Sequence, residues 1–229
     1  MEYPHNRLYT ADDLVRIITL LRDPVNGCPW DKVQTHTSIR MNFLEEAYEA
    51  VDALDLDDPV LMCEELGDVL MQVAFHTCME QETGRFTWEQ VCDGVCQKLI
   101  ERHPNIFGTQ PGYEGITDWD ALKNKEKGRR TLADDLESVP RAMPALMRAA
   151  KLQKRAARHG AALQGADAAA LADAAENLQT AQPASAQAEQ AVGELLFAAA
   201  NLARQAGVDP EQALQKANEA FCTAAGPVA

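Results

Sequence analysis

The chain is short of positive charge: 21 Lys and Arg stand against 35 Asp and Glu, a formal net charge of −14. A protein that grips a nucleic-acid backbone needs the opposite balance, so nucleic acid is excluded as a partner. A small polyanion is not excluded, because a divalent cation bridges acidic protein to acidic ligand. No apolar run approaches the roughly 20 residues of a membrane helix, and the stretch from Met1 to Asp13 has no signal-peptide core. These absences predict a cytoplasmic protein with no membrane partner. Six cysteines (Cys28, Cys63, Cys78, Cys92, Cys96, Cys222) form no CxxC pair and no Cys/His cluster of zinc spacing. Reduced, mostly buried thiols are expected, with Cys92 and Cys96, one helical turn apart, as a candidate redox pair. Period-two alternation is missing, which excludes half-buried strands of useful length. A GxxxxGKS/T loop is missing too, which excludes a P-loop mechanism.

What remains is helical periodicity. Apolar residues recur at spacings of three and four through Leu14, Ile17, Ile18 and Leu21, through Leu44, Ala47, Tyr48 and Val51, and through Leu66, Val69, Leu70 and Val73. The breaks are Asp23-Pro24 with Gly27 and Pro29, then Asp57-Asp58-Pro59, then Thr83-Gly84. A fourth helix is expected from near Thr87 to Arg102, stopped by Pro104, which completes a four-helix unit over residues 1–108. Residues 109–140 read as a linker, with a short helix around Trp119. A basic helix follows, from about Pro144 to His159, and opens a second helical region over 141–229. There Gly193-Glu194-Leu195-Leu196 echoes Gly67-Asp68-Val69-Leu70, and Gln215-Lys216 echoes Gln97-Lys98. The chain is therefore read as all-α, two copies of one helical unit with the second eroded.

Two acidic groups carry the chemistry. Glu46 and Glu49 share a helix face at spacing three, Glu45 and Glu49 at spacing four, and Glu65 and Asp68 at spacing three. The short turn at Asp57 to Pro59 folds the two helices into a hairpin that can bring those faces together. Like charges at such spacings cost about 0.2–0.5 kcal/mol per pair, and a divalent cation would relieve the cost. Carboxylates without His or Cys suit hard ions, Mg²⁺ first and Mn²⁺ as a substitute. The competing reading is an ordinary solvated acidic face. Interleaving with Leu44, Tyr48, Leu66 and Val69 favours placement near the packed interior. A di-iron carboxylate site needs Glu-x-x-His on helices, and Glu2 to His5, broken by Pro4, does not supply it.

Lys98 and Arg102, four apart, are either dipole partners at a helix end or clamps for phosphate oxygens. The loop Gly27-Cys28-Pro29-Trp30-Asp31-Lys32-Val33-Gln34 is either a rigid turn with a core tryptophan or a base or sugar pocket. In the second case Trp30 supplies the aromatic surface, and Asp31 or Gln34 the hydrogen bonds.

The run Leu21 to Asp31 (Leu-Arg-Asp-Pro-x-Asn-Gly-Cys-Pro-Trp-Asp), Gln34-Thr35-His36, the groups Glu45-Glu46-x-x-Glu49 and Glu65-x-x-Asp68, and Lys98-x-x-x-Arg102-His103-Pro104 together resemble the MazG family of nucleoside triphosphate pyrophosphohydrolases. Five motifs match in order and spacing, closely over about residues 14 to 108. The resemblance implies an all-α bundle that pairs as a homodimer and cleaves (d)NTP to (d)NMP and pyrophosphate. It further implies Mg²⁺ held by Glu46, Glu49, Glu65 and Asp68, with Glu45 beside them to orient or deprotonate water. Catalytic roles therefore fall to Glu45, Glu46 and Glu49, and substrate contacts to Trp30, Asp31, Gln34, Lys98 and Arg102. Narrower alternatives are a dUTP-, dCTP- or phosphoribosyl-ATP-directed pyrophosphatase, or a regulatory dimer that binds nucleotide without turnover.

The second MazG-like repeat departs from the pattern. Its aligned acid positions are Ala175, Glu176 and Gln179, then Ala191 and Glu194, so neither acidic group is complete. This degenerate, shortened repeat is expected to be catalytically silent.

Overall fold

The computed structural model describes residues 8–104, 106–108, 127–128 and 131–226. Nine α-helices, one short 3₁₀ turn and no strand occur among them. The fold is all-α. The short helix expected around Trp119 lies outside the described residues. The chain divides into two compact units, Met1–Ile116 and Thr117–Ala229.

The first unit holds α1 (Ala11–Leu21), α2 (His36–Leu56), α3 (Pro59–Glu82) and α4 (Trp88–Arg102). Their ends follow from local chemistry. Thr10, Thr35 and Thr87 each cap a helix and form a reciprocal box with Asp13, Ser38 and Gln90. Such caps satisfy amide donors that the first turn leaves open, each worth about 1 kcal/mol. Between α2 and α3, Asp57 takes a left-handed conformation (φ 53°), and Asp58 accepts from the amides of Val60 and Leu61 ahead of Pro59. A two-residue reversal results, and α2 and α3 form an antiparallel hairpin. Its register is fixed by side-chain pairs that climb one helix as they descend the other: Glu46 with Gln72, Phe43 with His76, His36 with Glu80. Gly84 (φ 70°) allows the next reversal, after which α4 packs on α3.

The core of this unit is Ile18, Ile39, Ala74, Phe75, Cys78 and Met79, with Leu14, Val15, Met71 and Trp88 against it. It lies toward the α1 end of the hairpin. The expectation that Tyr48 and Leu66 sit at the packed interior is not met, since they are 53% and 50% exposed. The apolar residues of the acid-bearing stretch instead form an uncovered face. The expectation of mostly buried thiols also fails: Cys78 is buried, but Cys63, Cys96 and Cys222 are exposed on outward faces. All six cysteines are free, Cys92 and Cys96 included.

The second unit holds α5 (Leu132–Glu137), α6 (Ala145–Arg158), α7 (Ala168–Thr180), α8 (Ala186–Gln205) and α9 (Pro210–Ala225). Helix α5 falls within the span read as linker, started by a Thr131–Asp134 capping box. It is tied to α6 by the buried Asp135, which receives Arg155 Nη1 at 3.0 Å and His159 Nε2 at 3.2 Å. Helices α7 and α8 pair through small residues: Ala174, Ala191, Ala198 and Ala200 are all buried. Polar ties complete this unit, from Gln153 Nε2 to the Phe197 carbonyl at 2.7 Å and from Asn201 Nδ2 to the Ala166 carbonyl at 2.6 Å.

Candidate functional site

The hairpin register brings the two acidic groups to one place. Single carboxylate oxygens of Glu46, Glu49 and Glu65 all lie within 4.8 Å of one another. Glu46 and Glu49 come from one face of α2, and Glu65 from the facing turn of α3. Glu46 and Glu65 are half-buried and Glu49 is exposed. Partial burial holds the Glu46 carboxyl above the ordinary glutamate value. The charges of Asp68 and Glu49 push it further up, while a hydrogen bond from Gln72 pulls it down. Glu65 is raised as well, by desolvation first and then by Glu49, Asp68 and Glu64. Asp68 thus acts on the group electrostatically from one helical turn beyond Glu65, although it is not among the three closest carboxylates. Glu45, adjacent to Glu46, is exposed.

This donor set fits a hard divalent cation. Oxygen ligands at about 2.0–2.6 Å from an ion stand up to about 5 Å apart across it, which three oxygens within 4.8 Å satisfy. Desolvation first and mutual repulsion second raise these carboxyls, and a cation would offset both. Gln72 supports the arrangement from below: it is 7% exposed, its Nε2 donates to Glu46 Oε1 at 3.3 Å, and its Oε1 is buried with no partner.

Trp30, Asp31 and Gln34 lie together on the loop between α1 and α2. Trp30 is 56% exposed, with its ring edge-on to Phe75 at 6.5 Å, so the core-tryptophan reading is discarded. Gln34 spends its amide on the loop and the first turn of α2, donating to the Trp30 carbonyl at 2.9 Å and accepting from Ser38 Oγ at 2.7 Å. Asp31 opens the short 3₁₀ turn Asp31–Val33. Lys98 is exposed on α4, and Arg102, one turn later, is buried. No described hydrogen bond or ion pair joins Lys98 to the acidic group.

Sequence reasoning missed two groups beside this loop. Arg22, 8% exposed, forks onto Glu82 through Nε at 2.6 Å and Nη2 at 2.8 Å and also bonds loop carbonyls. His36 stacks on His76 with centroids 5.0 Å apart, their Nδ1 atoms share a hydrogen bond at 2.7 Å, and His36 Nε2 meets the buried Glu80. The partners are 60, 40 and 44 positions apart, beyond any local pattern. The available signals are the basic residue directly before Asp-Pro and the histidine that closes Gln34-Thr35-His36, both within the recognised motifs.

In the second unit, Ala191 is buried and Glu194 accepts from Gln190 on its own helix. No second group of three clustered metal-ligating side chains occurs among the described residues.

Comparison with known proteins accords with this layout. Residues 34–107 match the MazG nucleotide pyrophosphohydrolase domain, a span that holds all five acids of the two groups and both α4 cations. The chain is 41% identical over 219 residues to the nucleoside triphosphate pyrophosphohydrolase of Escherichia coli K12, covering 92% of this chain and 83% of that protein. It is 39% identical over 212 residues to the nucleoside triphosphate pyrophosphohydrolase/pyrophosphatase MazG of Thermotoga maritima, covering 92% and 82%. A mycobacterial relative, the nucleoside triphosphate pyrophosphohydrolase of Mycobacterium tuberculosis, is 35% identical over 164 residues, covering 67% of this chain and 50% of its own. Similarity of this extent, running through both units, establishes that the chain belongs to the MazG nucleotide pyrophosphohydrolase family.

Proposed function

We propose that this protein hydrolyses nucleoside triphosphates to monophosphate and pyrophosphate at the carboxylate group between α2 and α3, with Mg²⁺ as the physiological ion and Mn²⁺ as a substitute. The observation that carries the reading is the convergence of Glu46, Glu49 and Glu65 from two helices onto one point. With Asp68, they are the proposed ion ligands. When bound, a divalent cation offsets triphosphate charge and lowers the pKa of water.

The remaining work falls to the protein. Glu45 orients the attacking water and accepts its proton. Attack at the α-phosphorus forms the new P–O bond, the bond to the bridging α–β oxygen breaks, and pyrophosphate leaves. Lys98 and Arg102 balance charge on the departing phosphates as a point charge and a fork. Trp30 offers its exposed face to the base, and Asp31 and Gln34 shape the loop that carries it. Positioning and charge neutralisation supply the rate.

The catalytic domain in this reading is residues 1–108, within the first unit, and residues 109–140, which include α5 of the second unit, lead into a silent second repeat. A homodimer is proposed from the uncovered apolar face of the hairpin, where Tyr48, Val51, Leu54, Leu66 and Leu70 are 40–53% exposed. The medium is the cytoplasm, in keeping with the absence, among the described residues, of a helix long and apolar enough to cross a membrane. The direct test is product identification by ³¹P NMR on a panel of ribo- and deoxyribonucleoside triphosphates. Monophosphate and pyrophosphate should appear with Mg²⁺ and vanish with EDTA. Diphosphate and orthophosphate, or turnover indifferent to EDTA, would contradict the proposal.

A further inference from the structure

We infer that Arg22 is a positioning residue for substrate recognition: it presets the 27–34 loop so that Trp30 stands ready for the nucleoside end of the triphosphate. The inference rests on the pyrophosphohydrolase reading and adds to it a residue that touches neither ion nor substrate.

Arg22 ends α1, and its guanidinium points across the loop rather than along the helix. Nε and Nη2 grip both oxygens of Glu82 at the end of α3. Nη1 donates to two loop carbonyls, those of Asp31 at 2.8 Å and Gln34 at 3.2 Å. Four of five N–H groups are thereby used, in a planar fan that an ammonium cannot reproduce. The same guanidinium lies over the Phe75 ring, 5.3 Å from its centroid, and Phe75 meets the Trp30 ring edge-on at 74°. One cation thus fixes the carbonyls on one side of Trp30 and the ring that supports it from behind.

Two of its four donors reach the loop backbone, which packing alone does not call for. Burying a guanidinium is costly, and an apolar side chain serves packing alone as well or better. The loop has little apolar anchorage of its own: Val25, Trp30 and Val33 are 79%, 56% and 66% exposed. It is held instead by short polar ties. The Cys28 amide donates to the Leu21 carbonyl at 2.8 Å, and the Val25 and Asn26 amides donate to Asp23 Oδ1. At Gly27 the backbone passes so close to α1 that an added Cβ would stand 2.4 Å from the Leu21 and Asp23 carbonyl oxygens. A tightly tied loop that holds a large aromatic out in solvent spends its ordering before the ligand arrives, which is how preorganisation gains affinity.

The test compares the full-length wild type with Arg22→Lys, Trp30→Ala and the double variant, on one good triphosphate substrate at saturating Mg²⁺. Arg22→Lys should raise KM about tenfold with kcat within about twofold. Trp30→Ala should do the same, and the double variant should be no worse than Trp30→Ala alone, since Arg22 acts through that ring. In protein carrying 5-fluorotryptophan and no nucleotide, the Trp30 fluorine resonance should move in Arg22→Lys while that of Trp88 stays. Additive KM effects, or an unmoved Trp30 resonance, would overturn the inference. So would a fall in kcat and in thermal stability parallel to the rise in KM, which marks a scaffold role. Should Arg22→Lys not fold, Glu82→Gln loosens the same fork from its other end and must raise KM. A wild type inert toward every triphosphate would overturn the enzymatic reading itself, while the fluorine resonance still reports whether Arg22 sets the loop.

Discussion

Gln72 donates from Nε2 to Glu46 Oε1 at 3.3 Å, and its own carbonyl oxygen is buried without a partner. A buried, unanswered acceptor costs about 1–3 kcal/mol, so Gln72 is kept for the carboxylate it steers. Replacing it with leucine removes both the donor and the orphaned acceptor. Gln72→Leu is expected to fold and to need about tenfold more Mg²⁺ for half-maximal activity, the scale of lost support behind a metal ligand. The dependence of rate on Mg²⁺ concentration measures it, and an unchanged half-saturation point would show that Glu46 needs no steering.

Glu49 is the exposed member of the acidic trio, so its neutral isostere disturbs folding least. In the full-length chain Glu49→Gln should lower kcat/KM by at least about 100-fold, a loss of ~2.7 kcal/mol of transition-state stabilisation. Steady-state assays on the intact variant also locate the activity. Rates at the wild-type level would move the active site to the second unit, whose proposed counterpart positions are Ala175, Glu176, Gln179, Ala191 and Glu194.

Burial first and neighbouring acids second raise the Glu46 and Glu65 carboxyls. The folded chain therefore holds more protons than the unfolded one from about pH 4.3, the ordinary glutamate value, up to the raised folded values. Across that window stability falls as pH rises, and the deficit persists above it until a cation relieves the repulsion. Stabilisation by added Mg²⁺ should thus be small near pH 4.5 and grow toward neutrality. Melting curves with and without Mg²⁺ at several pH values check this, and an increment that shrinks with pH would contradict it.

His76 behaves in the opposite sense. Burial and the neighbouring His36 hold it below the ordinary histidine value, so from about pH 6.5 downward the unfolded chain takes up protons first. The fold loses this contribution as pH drops through the lowered value. Because the two Nδ1 atoms face each other at 2.7 Å, only one can carry the shared proton. His76→Gln should therefore show a smaller drop in melting temperature between pH 7.5 and 5.5 than the wild type. An equal or larger drop would place the acid sensitivity elsewhere.

The helices of the first unit were legible because their caps and periodicity are local. Thr10, Thr35 and Thr87 start helices where polar residues precede apolar repeats, and Asp57-Asp58-Pro59 can only be a tight reversal. Once that reversal is read, Glu46, Glu49 and Glu65 meet by register alone. Missing from the sequence was the depth of the site. Tyr48 and Leu66 resemble core residues by spacing but lie on an uncovered face, because the packed end of the hairpin is where α1 sits. The clasp of Arg22 and Glu82 and the pair His36 and His76 join distant positions that no periodicity relates. Helix α5 falls in the span that reads as linker because six residues are too few to show a helical period, though its Thr131–Asp134 cap follows the same rule as the others.

The account stands on one cage of oxygens, and Mn²⁺ titration of the full-length protein, followed by the EPR signal of the free ion, probes it without reference to turnover. Wild type should take up Mn²⁺ saturably, and Glu49→Gln and Glu65→Gln should each bind at least about tenfold more weakly. Identical binding curves for all three proteins would contradict it.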